Sequence, residues 1–102
     1  MEGDTKTTKK KILLVDDDPQ ALEIYRHKFQ EDSFEVVTAV DGQDALDKIK
    51  AGFIPDVIFT GILMPRLTGF ELVKKIREDE KLAKIPIAIS SHLISSHLIS
   101  SQ

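Results

Sequence analysis

The sequence predicts an α/β fold, an open parallel sheet with helices on both faces, and three observations carry that prediction. Ile12 to Val15 and Asp56 to Thr60 are short, nearly continuous apolar runs, as in strands covered on both sides. Segments with apolar residues three and four apart stand between and after them. Cap and turn residues punctuate the boundaries, giving the order β-α-β-α-β-α-β, and strands that alternate with helices through short right-handed crossovers build a parallel sheet.

Each element has its own local reason. Ile12 to Val15 ends in three aspartates, which fits a central strand leading into a site. Asp18-Pro19 then opens a helix: Asp18 caps it, and Pro19 takes the first helical position, where its missing N–H costs nothing. Leu22, Tyr25 and Phe29 mark that helix's inner face, with Glu23, Arg26, Lys28 and Glu31 turned outward. Phe34 to Val40 reads as the second strand and Asp41-Gly42 as the turn after it. A second helix carries Ala45, Leu46 and Ile49 inward, and Gly52 ends it. After the third strand, Thr68 and Glu71 form a capping box, in which each side chain satisfies an orphan backbone N–H. Phe70, Val73 and Ile76 are expected on the inner face of the helix that follows. Ile85 to Ile89, begun around Pro86, is the fourth strand.

Composition bounds the function. A chain of 102 residues, 41% hydrophobic and 30% charged, fits one soluble domain. Its formal charge of -3 offers nucleic acid no long-range attraction, and Lys9, Lys10 and Lys11 read as a solvated lead-in to the first strand. The absence of cysteine excludes disulfides and thiolate metal sites and is compatible with a cytoplasmic location. No apolar run is long enough to span a membrane, and Met1 to Lys11 lacks the apolar core of a signal peptide.

Three segments are expected: a disordered stretch over residues 1–10, a domain over 11–91 and a low-complexity tail over 92–102. In the tail region SSHLI occurs twice between Ser90 and Ser101, and its period of five matches neither helix nor strand. A helix there would gather Leu93, Ile94, His97 and Leu98 on one side; a weakly ordered tail is the preferred reading. His92 and His97 do not share a helix face well, which disfavours a metal pair.

Four fragments in this order, ILLVDDDP, VDGQDAL, DVIFTGILMPRLTGFELVKKIR and KIPIAIS, resemble the receiver domain of bacterial two-component response regulators over Lys11 to about Ser91. The resemblance implies a flavodoxin-like, doubly wound sheet ordered 2-1-3-4-5 with an acidic pocket at its carboxyl edge. It also implies an aspartate at the end of the third strand, four residues before the Met-Pro proline, whose carboxylate accepts a phosphoryl group. Counting back four from Pro65 reaches Gly61, so the nucleophile and one magnesium ligand are lost. Asp16 and Asp17 match the acidic pair, with Asp17 at the direct metal ligand. Leu63 falls where a backbone carbonyl completes the site, and together these residues would hold Mg2+ only weakly. As residues alone, Asp16 and Asp17 read equally well as caps of the adjoining loop and helix. Ser91 matches the switch Ser/Thr, which without a phosphoryl group becomes an ordinary strand-end serine.

A receiver continues through a fourth helix, a fifth strand with a phosphate-pairing lysine and a fifth helix, and against that pattern the sheet is truncated after its fourth strand. Lys81 and Lys84 lie ahead of that strand and do not replace the lysine. The expected role is therefore a degenerate receiver that cannot take a phosphoryl group, acts through protein contacts, and has a histidine kinase as its ancestral partner. An open edge at strand four, or the tail, would favour a dimer or higher oligomer. No partnership with nucleic acid or membrane is expected. The competing reading is an enzyme: Asp16 and Asp18 resemble the nucleophile and general acid of haloacid-dehalogenase-type phosphatases, although the further lysine and acidic motifs of that family are missing.

Overall fold

The computed structural model describes residues 9–61 and 67–90. Its strands are β1 (Lys11–Val15), β2 (Glu35–Ala39), β3 (Val57–Gly61) and β4 (Ile87–Ser90); its helices are α1 (Pro19–Glu31), α2 (Gly42–Lys50) and α3 (Gly69–Glu78). All four strands run parallel in the order β2-β1-β3-β4. This is the expected doubly wound, flavodoxin-like arrangement.

The continuous apolar run of β1 is explained by its place at the centre. Ile12 and Leu14 face one side, joining Leu22, Tyr25, Phe29, Phe34, Val36, Val57 and Phe59 beneath α1. Leu13 and Val15 face the other, among Ala45, Ile49, Ile58, Leu72 and Ile76 beneath α2 and α3. Burying both faces of a strand leaves no position for a polar residue until the strand ends. On the α1 side, Tyr25 meets Phe59 edge-on at 4.9 Å, and Phe29 meets Phe34 likewise at 5.5 Å. Aromatic pairs in this geometry add stability beyond the area they bury, about 0.5–1.5 kcal/mol each.

The helix ends follow the local chemistry. Asp18 accepts a hydrogen bond from the Gln20 backbone N–H at 3.0 Å, with Pro19 at the first helical position. At the exposed first turns of α1, Arg26 beside Glu23 holds that carboxyl below its ordinary range. Gly52, at φ +119°, closes α2: its N–H donates to Ile49 O and that of Phe53 to Lys48 O. The same paired closure ends α1, where the N–H groups of Ser33 and Phe34 donate to Gln30 O and Phe29 O. Ser33 takes the left-handed position there, at φ 72°, and Phe34 packs on Phe29. Sequence reading anticipated the glycine closure but not the serine one, because the Phe29–Phe34 contact holds a residue in a conformation that its own propensity disfavours.

Three expectations are corrected. The inner face of α3 is Gly69, Leu72 and Ile76, whereas Phe70 is 62% exposed and Val73 only half-buried. The helix begins at Gly69, and the 3, 4 spacing that reaches Ile76 from there passes through Leu72, leaving Phe70 to one side. The third strand begins at Val57, because the Asp56 carboxylate turns to accept the Lys11 N–H at 2.7 Å. The fourth begins at Ile87, after Ile85 has packed into the core below α3. Of residues 1–10, expected to be disordered, 1–8 lie outside the described residues, as does the tail over 92–102, whereas Lys10 O accepts the Glu35 N–H at 2.9 Å.

One contact ties the helices to the loop after β3. A Cβ built on Gly42 would stand 2.7 Å from Leu67 Cβ and 2.8 Å from its backbone oxygen. The glycine is required by close approach, not by its torsion angles. Gly42→Ala is therefore expected to lower stability by about 1–3 kcal/mol, the usual penalty of overpacking; urea unfolding should show a lower midpoint at an unchanged slope.

Candidate functional site

Parallel strands deliver their ends to one edge, and the aspartates that follow β1 arrive there beside the last residue of β3. The backbone N–H of Asp16 donates to Ala39 O at 3.0 Å, extending the β1–β2 pairing by one residue. Its side chain is buried, 4% exposed, and one carboxylate oxygen accepts the Asp18 N–H at 2.9 Å. Asp16 thereby shapes the turn from which Asp18 caps α1. Asp17 is exposed.

Gly61 lies against Asp16. A Cβ at residue 61 would be 3.2 Å from Asp16 Oδ2 and 3.4 Å from its Cγ. The neighbouring Thr60 is fully buried, and its hydroxyl donates to Gly61 O at 3.0 Å. Below them Leu14, Val15, Leu22, Tyr25 and Phe59 close a crevice with Asp16 and Gly61 that admits no water. The structure thus brings Asp16 and Gly61 into contact, sets Asp17 next to them in the chain, and assigns Asp18 to capping. Leu63 and Ser91 lie outside the described residues, as do His92 and His97.

A second acidic corner stands at the same edge. Asp41 is 4% exposed and accepts the Asp44 N–H at 2.8 Å at the start of α2. Asp44 reaches back to accept the Val40 N–H at 3.0 Å and pairs with Lys48 at 3.3 Å, whose ammonium also donates to Thr38 O. This is a reciprocal cap built from two aspartates, offset by one residue from a capping box because the returning bond comes from Val40 and not from the N-cap Asp41. Sequence reading took Asp41-Gly42 as a turn only; the signal that would have found the cap is the Asp-x-x-Asp spacing. At α3 the expected box is present, with Thr68 N–H donating to Glu71 at 2.8 Å and Glu71 N–H to Thr68 Oγ1 at 3.1 Å.

The donor set is poor for magnesium, which keeps several waters and is held by one or two carboxylates free to reach it. Among the described residues no three His, Cys, Asp or Glu side chains are placed to share a metal ion. Asp16 already spends one oxygen on the loop, and Gly61 has no side-chain oxygen to add. The described residues do not fit a firm magnesium site.

Comparison with known proteins settles the family. The family model of the response regulator receiver domain matches residues 12–99. The chain belongs to that family. Hybrid signal transduction histidine kinase D of Dictyostelium discoideum is 37% identical over 78 residues, covering 76% of this chain and 5% of that protein. The alkaline phosphatase synthesis transcriptional regulatory protein PhoP of Bacillus subtilis is 33% identical over 76 residues, covering 74% of this chain and 31% of that protein. The chain therefore spans at most about a third of these two relatives. Among solved structures, the chemotaxis response regulator CheY4 of Vibrio cholerae superposes with a TM-score of 0.77 at 38% identity, over 80% of this receiver and 68% of that chain.

The contact between residue 61 and Asp16 can be tested directly. Gly61→Asp places another carboxylate against Asp16, so the metal-free variant should lose about 1–3 kcal/mol, the range for an uncompensated buried polar group. Magnesium should then raise its melting temperature in a saturable way, and by more than in the parent receiver. Melting that ignores magnesium in the variant would remove residue 61 from the pocket.

Proposed function

We propose that this receiver of two-component signalling does not accept a phosphoryl group and works through protein contacts. The single observation that carries this reading is Gly61, which ends β3 against Asp16 and has no side chain to act as nucleophile. Receiver domains typically hold Mg2+ in their active site. Here Asp16 and Asp17 would retain it weakly, with Leu63 and Ser91 at the carbonyl and switch positions. The domain over residues 11–91 would carry these contacts, flanked by residues 1–10 and 92–102.

The partner class follows from the family: a histidine kinase is the ancestral partner of a receiver, and a cytoplasmic location suits that pairing. Among the described residues no helix is long and apolar enough to cross a membrane. Self-association is the second contact proposed. Within the described sheet β4 pairs with β3 on one side only, and Ile89 on it is 37% exposed. Such an edge offers backbone donors and acceptors to a second copy. The phosphatase reading has less support, because Asp16 is buried with an oxygen committed to the loop and Asp18 is committed to its helix cap.

Two measurements test these proposals. Incubated with acetyl phosphate and magnesium, the receiver should show no added phosphoryl mass. An adduct on the parent chain would contradict the reading. Light scattering on a size-exclusion column, run over a concentration series, should show a dimer that dissociates on dilution. A monomer throughout would remove the β4 edge from the proposal without affecting the phosphorylation result.

A further inference from the structure

A second concavity lies at the opposite edge of the sheet from the acidic corner, where α2 and α3 end and the chain enters β3 and β4. It encloses about 430 Å³, within the range of about 300–1,000 Å³ of small-molecule sites. Leu46, Ile49, Ile54 and Leu82 line its apolar floor. Ile49 and Leu82 are each 6% exposed, whereas Ile54 is 50% exposed and forms a lip.

The rim is charged. Lys50, Lys75 and Lys81 stand around it with Glu78 and Asp79. None of these three lysines makes an ion pair among the described residues. Of the two carboxylates, Asp79 accepts the Lys81 N–H at 2.9 Å and keeps its charge. Carbonyls at the end of α2 are likewise occupied, by the N–H groups of Ala51, Gly52 and Phe53. The rim therefore sets the three ammonium groups of Lys50, Lys75 and Lys81 against the two carboxylates of Glu78 and Asp79, leaving positive charge in excess by one.

We propose that this groove binds a small organic anion with an apolar body, of which a medium-chain carboxylate is the simplest form. The chain of such a ligand would lie on the apolar floor, displacing water from Ile54 and Leu46. Its carboxylate would remain at the mouth, met by Lys50, Lys75 and Lys81, whose flexible stems allow them to converge on it. The site is separate from the acidic corner and does not depend on whether residue 61 can be phosphorylated.

Two probes with the same apolar body and opposite charge provide the test: octanoate and octylammonium, each titrated into the full chain and followed by methyl NMR. Octanoate should give saturable shifts at the Leu46, Ile49, Ile54 and Leu82 methyls, with a Kd of about millimolar for so few atoms. It should bind at least about fivefold more tightly than octylammonium. The double variant Lys75→Glu, Lys81→Glu changes only exposed side chains, and it should reverse that preference while leaving the Asp16 and Gly61 amide signals in place. Absence of saturable shifts with either probe overturns the proposal. So does equal or tighter binding of octylammonium to the parent chain, or a preference that the double variant leaves unchanged.

Discussion

The position of β1 between two parallel partners is the constraint on which the rest of the structure depends. Residue by residue it pairs with β2 on one side and β3 on the other, and Leu13 and Leu14 are completely buried. A strand enclosed in this way has no freedom of register: a slip of one residue would exchange the side chains beneath α1 with those beneath α2 and α3. With the register set, the first residue past the strand is delivered to the level of Gly61. Asp16 is buried because its backbone continues the β1–β2 ladder to Ala39. A carboxylate held there needs internal partners, and the turn N–H of Asp18 is one.

Two glycines then set the shape of the carboxyl edge, each by what it lacks. Gly42 lets the first turn of α2 touch Leu67, so that the segment entering α3 is braced against a helix that precedes it by a whole strand. Gly61 leaves room for the Asp16 carboxylate to settle over the end of β3. In chemical terms the second absence matters more. A pocket that gathers several carboxylates relies on a cation to offset their repulsion, and removing one carboxylate weakens both the need for the cation and the means of holding it. With glycine at this point, no side chain of residue 61 adds its charge to that of the Asp16 carboxylate.

The two edges of the sheet consequently differ in chemistry. At the carboxyl edge lie Asp16, Asp17, Asp41 and Asp44, close to helix N-termini, where negative charge is favoured. At the amino edge lie Lys50 and Lys75 near the ends of α2 and α3, complementing the opposite ends of the same dipoles. Because every helix in a parallel sheet of this kind runs antiparallel to the strands, helix N-termini gather at one edge and helix C-termini at the other. The separation of an acidic corner from a lysine-rimmed groove follows from that geometry.

The sequence by itself determined the element order, the capping at Asp18, Thr68 and Gly52, the central place of β1, the family, and the glycine at residue 61. These depend on neighbours within one turn or one strand, so they can be read from spacing, or on a motif read in order. Only the tertiary structure decided that Leu72 rather than Phe70 faces the core, that Asp41 is buried, that Ser33 takes a left-handed conformation, and that Gly42 meets Leu67. Each of those depends on where a distant segment lies. A helix with apolar residues at 70, 72, 73 and 76 has two plausible inner faces, and the choice is made by the angle at which α3 settles on β3. A glycine at the start of a helix is unremarkable until a leucine 25 positions later in the chain is found against its Cα. Local propensity is recorded along the chain, whereas close packing exists only between surfaces that folding brings together.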